Sequence, residues 1–330
     1  MGMSGERWTL RYTRWDADRP SDQKGITAVE SVALGPDIFH LRGGSNVGLV
    51  VRDGQALLID TGLDGDAARR ALRIVEERAA RLTAIIVTHA HADHFGGARF
   101  LQRRLKVPLY APELEAAMME HPIIEPLYLF GGAAPIEELR QKFTLAEPCE
   151  VEQTIAPGPQ RIGPFQMDVI PLPGHALNQI GIAVEGAEQD VLFCADAIFP
   201  QETIEKHKVL FCVDLDKTLQ TIDGLSDQPY DCFAPGHGPA YDRGTAIEAI
   251  CRANRNRLEK VREVVHDALD APRKTSALVQ HVAKQFSLRI TRPTAYFLTR
   301  TTVLSALSSL EGAGEAAAVT DDNVVMWKRR

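Results

Sequence analysis

Residues 88–94 read Thr-His-Ala-His-Ala-Asp-His and directly follow the apolar, β-branched run LTAIIV at 82–87. That run predicts a buried β-strand, whose end places the following side chains in a loop above the sheet edge. Imidazoles and a carboxylate packed this densely are costly to bury unless they bind something. Neutral imidazole together with carboxylate is a ligand set for a divalent metal such as zinc. The segment therefore predicts a metal site at a sheet edge.

The spacing within this segment indicates two neighbouring sites. His89 and His91 alternate and can point the same way, whereas Asp93 and His94 turn toward an adjacent position. Three later segments each follow a predicted strand and end on ligand-type residues: PGH at 173–175, AD at 195–196 and PGHGP at 235–239. A lone His or Asp in a turn is more often structural, but the whole set in this order is specific.

Together these motifs resemble the metallo-β-lactamase superfamily, including its glyoxalase II-like branch, over about residues 28–245. The resemblance implies an α/β fold: an αββα sandwich of two face-to-face sheets with helices outside and a dinuclear site on the sheet edge. It implies that His89, His91 and His175 hold the first metal, that Asp93, His94 and His237 hold the second, and that Asp196 bridges them. Asp60, in LLIDTG, matches the family's early aspartate and supports the metal loop; with Asp93 it is a catalytic candidate.

The implied ligand set predicts hydrolytic chemistry. Two divalent ions ~3.5–4 Å apart clamp the attacking and leaving oxygens and lower the pKa of a bridging water toward ~7. We therefore expect a hydrolase that uses a metal-bridging hydroxide on a small-molecule thioester, ester or lactone, with Asp93 orienting the nucleophile or shuttling a proton. Zn²⁺ is favoured for both sites, and the carboxylates leave iron or manganese as alternatives.

Residues 246–330 read as helices followed by a hairpin, similar to the winged-helix tail of lactamase-like hydrolases that include an endoribonuclease group. This keeps a metal-dependent endoribonuclease or phosphodiesterase as an alternative. The tail holds 14 Lys and Arg against 9 Asp and Glu, whereas residues 1–245 hold 23 against 35. Asp321 and Asp322 at the hairpin tip weigh against nucleic acid, so packing on the catalytic domain or a homodimer is favoured. A second alternative is a non-enzymatic metal or ligand sensor, which needs a closed coordination shell.

The rest of the chain predicts four segments: an arm at 1–27, a catalytic domain at 28–245, an insert at 111–160 within it and a C-terminal helical, winged-helix-like domain at 246–330. The insert is broken by Pro and Gly and carries an apolar run, which suits an acyl or aromatic substrate. Lactonases of the superfamily use a tyrosine near the metals. We therefore take Tyr128 and Tyr241, together with Phe130 of the apolar run, as substrate-binding candidates.

Composition indicates the cellular compartment of the protein. The chain has 330 residues, 45% of them hydrophobic, and a formal net charge of −7. Five cysteines without a CxxC pair argue against a disulfide framework. No apolar run approaches the ~20 residues of a membrane span, and the polar start lacks a signal-peptide core. These features predict a cytoplasmic location and no membrane partner.

Overall fold

A computed structural model describes residues 29–330, so the predicted arm at 1–27 lies outside the described residues. The first sheet has seven strands in chain order: β1 (Glu30–Ala33), β2 (Ile38–Arg42), β3 (Val47–Arg52), β4 (Gln55–Ile59), β5 (Arg81–Ile86), β6 (Leu109–Ala111) and β7 (Gln153–Thr154). The first four pair antiparallel and the last four pair parallel.

The second sheet has six strands in the order β13-β12-β11-β10-β9-β8. Their bounds are β8 (Gly158–Ile162), β9 (Phe165–Pro171), β10 (Ile180–Val184), β11 (Val191–Ala195), β12 (Cys232–Pro235) and β13 (Tyr241–Asp242). β11 and β12 are parallel, and the other neighbours are antiparallel. A separate hairpin closes the chain, formed by β14 (Ala316–Asp321) and β15 (Val324–Arg329).

Helices cover the outer faces of both sheets. In chain order they are α1 (Gly65–Glu77), α2 (Ala92–Phe95), α3 (Ala98–Leu105), α4 (Glu113–Glu120), α5 (Ile124–Leu129), α6 (Gln201–His207), α7 (Leu215–Leu225), α8 (Thr245–Asp267), α9 (Thr275–Gln285) and α10 (Pro293–Gly312). Short 3-10 turns lie at Glu137–Leu139 and Ala268–Asp270.

Local sequence explains several of these elements. Asp53 and Gly54 both have positive φ between Arg52 and Gln55, the conformation that a two-residue hairpin requires. Helix α1 begins after Asp64, whose side chain accepts from the backbone N–H groups of Asp66 and Ala67.

Three hydrophobic clusters define the layers. One lies between the sheets and includes Leu57, Ile86 and Ile182. A second lies between the first sheet and helices α1 and α3, and the third lies between the second sheet and the later helices. Consecutive residues of β12 point to opposite faces of the second sheet. Cys232 belongs to the cluster between the sheets, and Phe233 belongs to the outer cluster between that sheet and the helices. The predicted αββα sandwich is confirmed.

The C-terminal helices share the outer cluster of the second sheet. Leu258 of α8 and Leu307 of α10 belong to the same buried cluster as Leu192 of β11. The β14–β15 hairpin contacts the segment between α8 and α9 through an isolated antiparallel β-bridge between Arg273 and Trp327. Helices followed by a hairpin are present as predicted, whereas the winged-helix arrangement and the boundary at residue 245 stay predictions.

All five cysteines are free and buried, in agreement with the sequence prediction that the chain has no disulfide framework. Within residues 29–330, no helix combines the length and the apolar character needed to cross a membrane.

Candidate metal centre

Strand ends from both sheets meet at one edge of the sandwich and carry every predicted ligand. In the first sheet, Asp60 follows β4 and the loop 88–94 follows β5. In the second sheet, β9, β11 and β12 run in one direction, because β10 is antiparallel to β9 and β11 while β12 is parallel to β11. Their ends deliver His175, Asp196 and His237 to the same edge. The structure thus brings together side chains that are far apart in the chain.

The candidate ligands form three groups, two of them without a common residue. We call His89, His91 and His175 the first trio, and Asp93, His94 and His237 the second trio; the third group, His89, His94 and Asp196, joins them, and in each group the ligand atoms lie within 4.8 Å of one another. Asp196 Oδ2 lies 3.4 Å from Nε2 of both His175 and His237, and its Oδ1 lies 3.4 Å from Nε2 of His94. Asp196 therefore contacts members of both trios, as a bridging ligand would.

Unpartnered buried atoms show that these residues fit a metal. His89 Nε2, His94 Nε2 and Asp196 Oδ1 are buried and form no hydrogen bond, although His94 Nε2 and Asp196 Oδ1 lie within ion-pair distance of each other at 3.4 Å. Buried polar atoms are nearly always paired, so three together call for a further group. His91 Nδ1 and His175 Nε2 lie 2.9 Å apart, within hydrogen-bond distance of each other. A set of nitrogen and carboxylate donors is what zinc binds.

Outer hydrogen bonds orient the imidazole rings. His94 donates through Nδ1 to Asp60 Oδ2 at 2.8 Å, His175 through Nδ1 to the Phe211 carbonyl at 3.0 Å, and His237 through Nδ1 to the Gly44 carbonyl at 2.9 Å. In each case Nε2 is left to face the centre. Such outer partners fix both the tautomer and the direction of a ligating histidine.

Asp60 lies behind His94 and outside both trios. Besides His94, its carboxylate accepts from the Thr88 backbone N–H at 2.8 Å and from the Thr88 hydroxyl. Its φ of 65° places the backbone in the left-handed region, which is strained for a residue with a Cβ. These contacts are those of a residue that positions His94, in line with its expected support of the metal loop.

Close packing explains the glycine before His237. A Cβ at Gly236 would lie 2.2 Å from Asp196 Oδ1 and 2.7 Å from Cε1 of His94. Ala195 has a φ of 48°, a strained turn that directs Asp196 into the same space. Only glycine at position 236 lets the loops carrying Asp196, His94 and His237 approach this closely.

The first trio is electrically neutral. Burial, reinforced by repulsion from His175, lowers the pKa of His91 to about 3. Burial likewise holds the pKa of His89 well below its usual value and lowers that of His175. Neutral imidazole is the form that binds a metal, so at neutral pH this trio has no proton to lose.

The second trio is ion-paired. Although burial opposes it, the charges of Asp196 and Asp93 raise the pKa of His237 to about 10. Burial also opposes the shift at His94, whose pKa lies well above its usual value because of Asp196, Asp93 and Asp60. Against the effect of burial, the two histidines hold the pKa values of Asp93 and Asp196 below the usual range.

A family model described as the metallo-beta-lactamase superfamily matches residues 40–237, more than half of the chain. The chain belongs to the metallo-beta-lactamase superfamily. Members of this family are metal-dependent hydrolases that bind divalent metals, and the two trios and Asp196 lie within or at the end of the matched range.

The chain is similar over nearly its whole length to a beta-lactamase domain protein from Burkholderia ambifaria. The TM-score is 0.71 at 20% identity, with 94% of this chain and 96% of that chain covered. A hydroxyacylglutathione hydrolase from Xylella fastidiosa is 32% identical over 155 residues, 46% of this chain and 44% of that protein. An exodeoxyribonuclease from Bacillus anthracis is 37% identical over 76 residues, 23% of this chain and 29% of that protein. The matches to both curated relatives span less than half of their length.

The three aromatic substrate candidates lie in different places. Tyr128 lies beside the buried acids Glu115 and Glu125, whose charges add to burial in raising the pKa of its phenol. The Phe130 ring packs against Phe297 of α10, 5.3 Å between centroids, and so joins the insert to the tail.

Tyr241 packs against the outer hydrophobic cluster of the second sheet. It pairs in register with Phe233, whose side chain belongs to that cluster. Its predicted substrate contact stays a prediction.

Two phenylalanines that the sequence analysis did not single out flank the centre. The Phe211 ring lies 5.5 Å from that of His91 and 5.6 Å from that of His175. The Phe199 ring lies 5.5 Å from that of His175 and stacks on that of His237 at 6.0 Å. Both side chains are half-buried.

Asn254 of α8 holds Phe199 in place. Its side chain accepts from the Phe199 backbone N–H at 2.9 Å and donates to the Phe199 carbonyl at 2.8 Å, and it is buried. The sequence offered one indication, since Asn254 interrupts the apolar stripe of Ile250, Cys251 and Leu258 on its helix. A buried amide on such a stripe needs specific partners, and here those partners place the tail against the metal centre.

Proposed function

We propose that this superfamily member is a two-metal hydrolase of small acyl compounds, a thioester, ester or lactone, with Zn²⁺ as its ions. The observation that carries the proposal is the pair of trios with Asp196 in contact with both. A single-ion site would need only one such group, whereas the two trios share no residue and the group of His89, His94 and Asp196 joins them.

The side chains of the centre have two roles, holding the ions and orienting the ligands. His89, His91 and His175 would hold one ion and Asp93, His94 and His237 the other, with Asp196 shared. When bound, such ions activate water at neutral pH and polarise the electrophilic group of the substrate. The outer partners Asp60, Phe211 and Gly44 keep the imidazoles directed at the centre.

Asp93 is the residue suited to moving a proton. Its side chain is 31% exposed, whereas those of His94 and Asp196 are 0% and 5% exposed. Its Oδ2 lies 3.4 Å from His237 Nε2. A carboxylate that touches both the centre and solvent can orient a water molecule and pass its proton outward. This open side also favours an enzyme over a sensor, whose metal would be enclosed by protein ligands.

Phe199 and Phe211 support an acyl substrate. Apolar walls with few convergent polar groups are typical of small-molecule sites. An acyl group with a hydrocarbon or aromatic part can contact these rings while its carbonyl reaches the centre. A phosphodiester, by contrast, would place anionic oxygens against the same apolar surfaces.

The test is a hydrolysis screen with protein reconstituted with Zn²⁺. We expect turnover of thioesters, esters or lactones that is lost in His91→Ala and kept in His281→Ala, which removes a histidine of α9 outside both trios. Metal content measured alongside should be close to two ions per chain. No turnover of any acyl substrate by fully loaded protein would overturn the proposal.

A phosphodiesterase is the second candidate, and the segment shared with the exodeoxyribonuclease favours it. Cleavage of RNA or DNA in the same screen, with binding that weakens steeply as salt rises, would support this candidate over the first. The exposed Asp321 and Asp322 at the turn of the β14–β15 hairpin oppose it, because they would face phosphate if the tail bound nucleic acid.

A further inference from the structure

A buried glutamate outside both trios ties together the two loops that carry the first trio. Glu115 of α4 is 0% exposed. Its Oε2 accepts from the Ala90 backbone N–H at 2.8 Å, and its Oε1 accepts from the Asn178 backbone N–H at 2.8 Å. Ala90 lies between His89 and His91, and Asn178 lies three residues after His175. One carboxylate therefore joins the loops that deliver all three histidines.

This tie crosses the sandwich. The loop 88–94 follows a strand of the first sheet, and the loop 173–179 follows a strand of the second. The packing of two sheets fixes their separation loosely compared with what a metal site needs, since ligands must be held within about 0.5 Å of their working positions. A rigid acceptor with two oxygens, each bonded to one loop, removes that freedom.

The position is costly for an acid, which argues for a specific role. Burial raises the pKa of Glu115, and no basic side chain in residues 29–330 forms an ion pair with it. Glu125, a second buried acid, lies on the neighbouring helix α5. Buried charges without a cation cost several kcal/mol unless hydrogen bonds satisfy them. The only protein partners that satisfy Glu115 among the described residues are the two metal-loop N–H groups.

We propose that Glu115 is a positioning residue that holds the first trio in its metal-binding arrangement, selectively over the second trio. The inference rests on the proposed two-metal site. Glu115 itself lies outside both trios, and it acts through the backbone of the loops. Outer-shell groups of this kind typically contribute 10–100-fold to metal affinity.

The deciding variant is Glu115→Gln. The amide keeps the shape of the side chain but has one carbonyl oxygen, so its NH₂ group meets one of the two backbone N–H donors and leaves it unpaired. The zinc affinity of the first trio should fall 10–100-fold. It would be measured by titrating metal-free protein with Zn²⁺ against a chromophoric chelator, and Co²⁺ absorption would report the ligand geometry.

Two background variants allow the zinc affinity of each trio to be measured by itself. In a His237→Ala background, which leaves the first trio intact, Glu115→Gln should weaken zinc binding. In a His91→Ala background, which leaves the second trio intact, it should change affinity by less than about twofold. Glu113→Gln is the matched control, since Glu113 lies on the same helix but is exposed, and it should change neither affinity.

The outcomes are distinguishable. A folded Glu115→Gln protein that binds both ions with wild-type affinity would overturn the inference, as would equal loss at both trios or a lower melting temperature with unchanged site affinities. If Glu115→Gln does not fold, the same zinc titrations are made with Glu115→Asp. This variant keeps the charge but is too short to reach both N–H groups, so it should also weaken zinc binding by the first trio. Failure of the wild-type chain to bind two ions would instead overturn the proposed function.

Discussion

The two trios of the metal centre lie side by side on one sheet edge but differ in their charge state. The first trio is held neutral by burial, with the pKa of His91 lowered to about 3. In the second, burial is outweighed by Asp196 and Asp93, which raise the pKa of His237 to about 10. The difference teaches that carboxylate placement, rather than depth, decides the protonation of each imidazole. In metal-free protein the first trio is therefore ready for an ion, whereas the second must release protons to bind one.

Removing the residue common to both trios should have the largest effect. In Asp196→Ala, both trios lose their shared carboxylate, and buried His94 and His237 lose the partner that pairs them. Lewis-acid stabilisation is worth several kcal/mol, and each tenfold in rate corresponds to about 1.4 kcal/mol, so turnover should fall roughly a thousandfold. Kinetics and metal content measure this. Asp168→Ala, an exposed position on β9, is the control; full activity with both metals in Asp196→Ala would show that the trios do not share a ligand.

Asp60→Asn should affect the second trio more than the first. Asparagine keeps the shape but removes the charge that accepts from His94 Nδ1, whereas Asp60 reaches His89 only through the Thr88 hydroxyl. The second trio should bind zinc about 10–100-fold more weakly, with a smaller loss at the first trio. Chelator competition measures both affinities, and the exposed Asp227→Asn serves as control. Equal weakening of the two trios would mean that Asp60 supports the whole loop rather than His94.

Proton release should distinguish the two binding steps. Near pH 7 the first trio is already unprotonated and should bind its ion without releasing protons. The second trio should release protons from His94 and His237, so its affinity should rise with pH until about pH 10, the pKa of His237. Calorimetry in buffers of different ionisation enthalpy counts these protons. Equal release in both steps would contradict the contrast between the trios.

The same pKa shifts affect the stability of metal-free protein. The pKa of His237 is raised above its unfolded value near 6.5, so its contribution is fully present below that pH and is lost as pH rises toward about 10. Urea unfolding of metal-free protein at pH 6.5 and pH 10 should therefore show lower stability at the higher pH. In His237→Ala, the stability of metal-free protein should depend less on pH between 6.5 and 10. An unchanged pH dependence would mean that a group other than His237 causes it.

Tyr241→Phe should have the smallest effect. The ring packs in the outer cluster of the second sheet, so loss of its hydroxyl should change kcat/KM by less than about twofold. Steady-state kinetics on the best acyl substrate measure it. A tenfold loss would support Tyr241 as a substrate-binding residue.

Much of the site was predictable because its ligands come from strand ends. His89, His91 and Asp93 are neighbours in the chain, and PGH and PGHG follow recognisable strands, so residue type and position sufficed to name them. Phe199, Phe211 and Glu115 were not predictable in this way. Each acts through a partner distant in sequence, and an isolated Phe or Glu in a loop or helix carries no pattern that names its partner.

The sequence by itself determined the metal-binding motifs, because residue type and spacing are local properties of the chain, and the resemblance of those motifs to the superfamily implied the sandwich. Only the tertiary structure decided how those residues are charged and held. The neutral first trio and the ion-paired second trio differ through the placement of Asp196, Asp93 and Asp60, which come from separate strand ends. Electrostatic energies depend on distances across the fold, and those distances exist only once both sheets have packed.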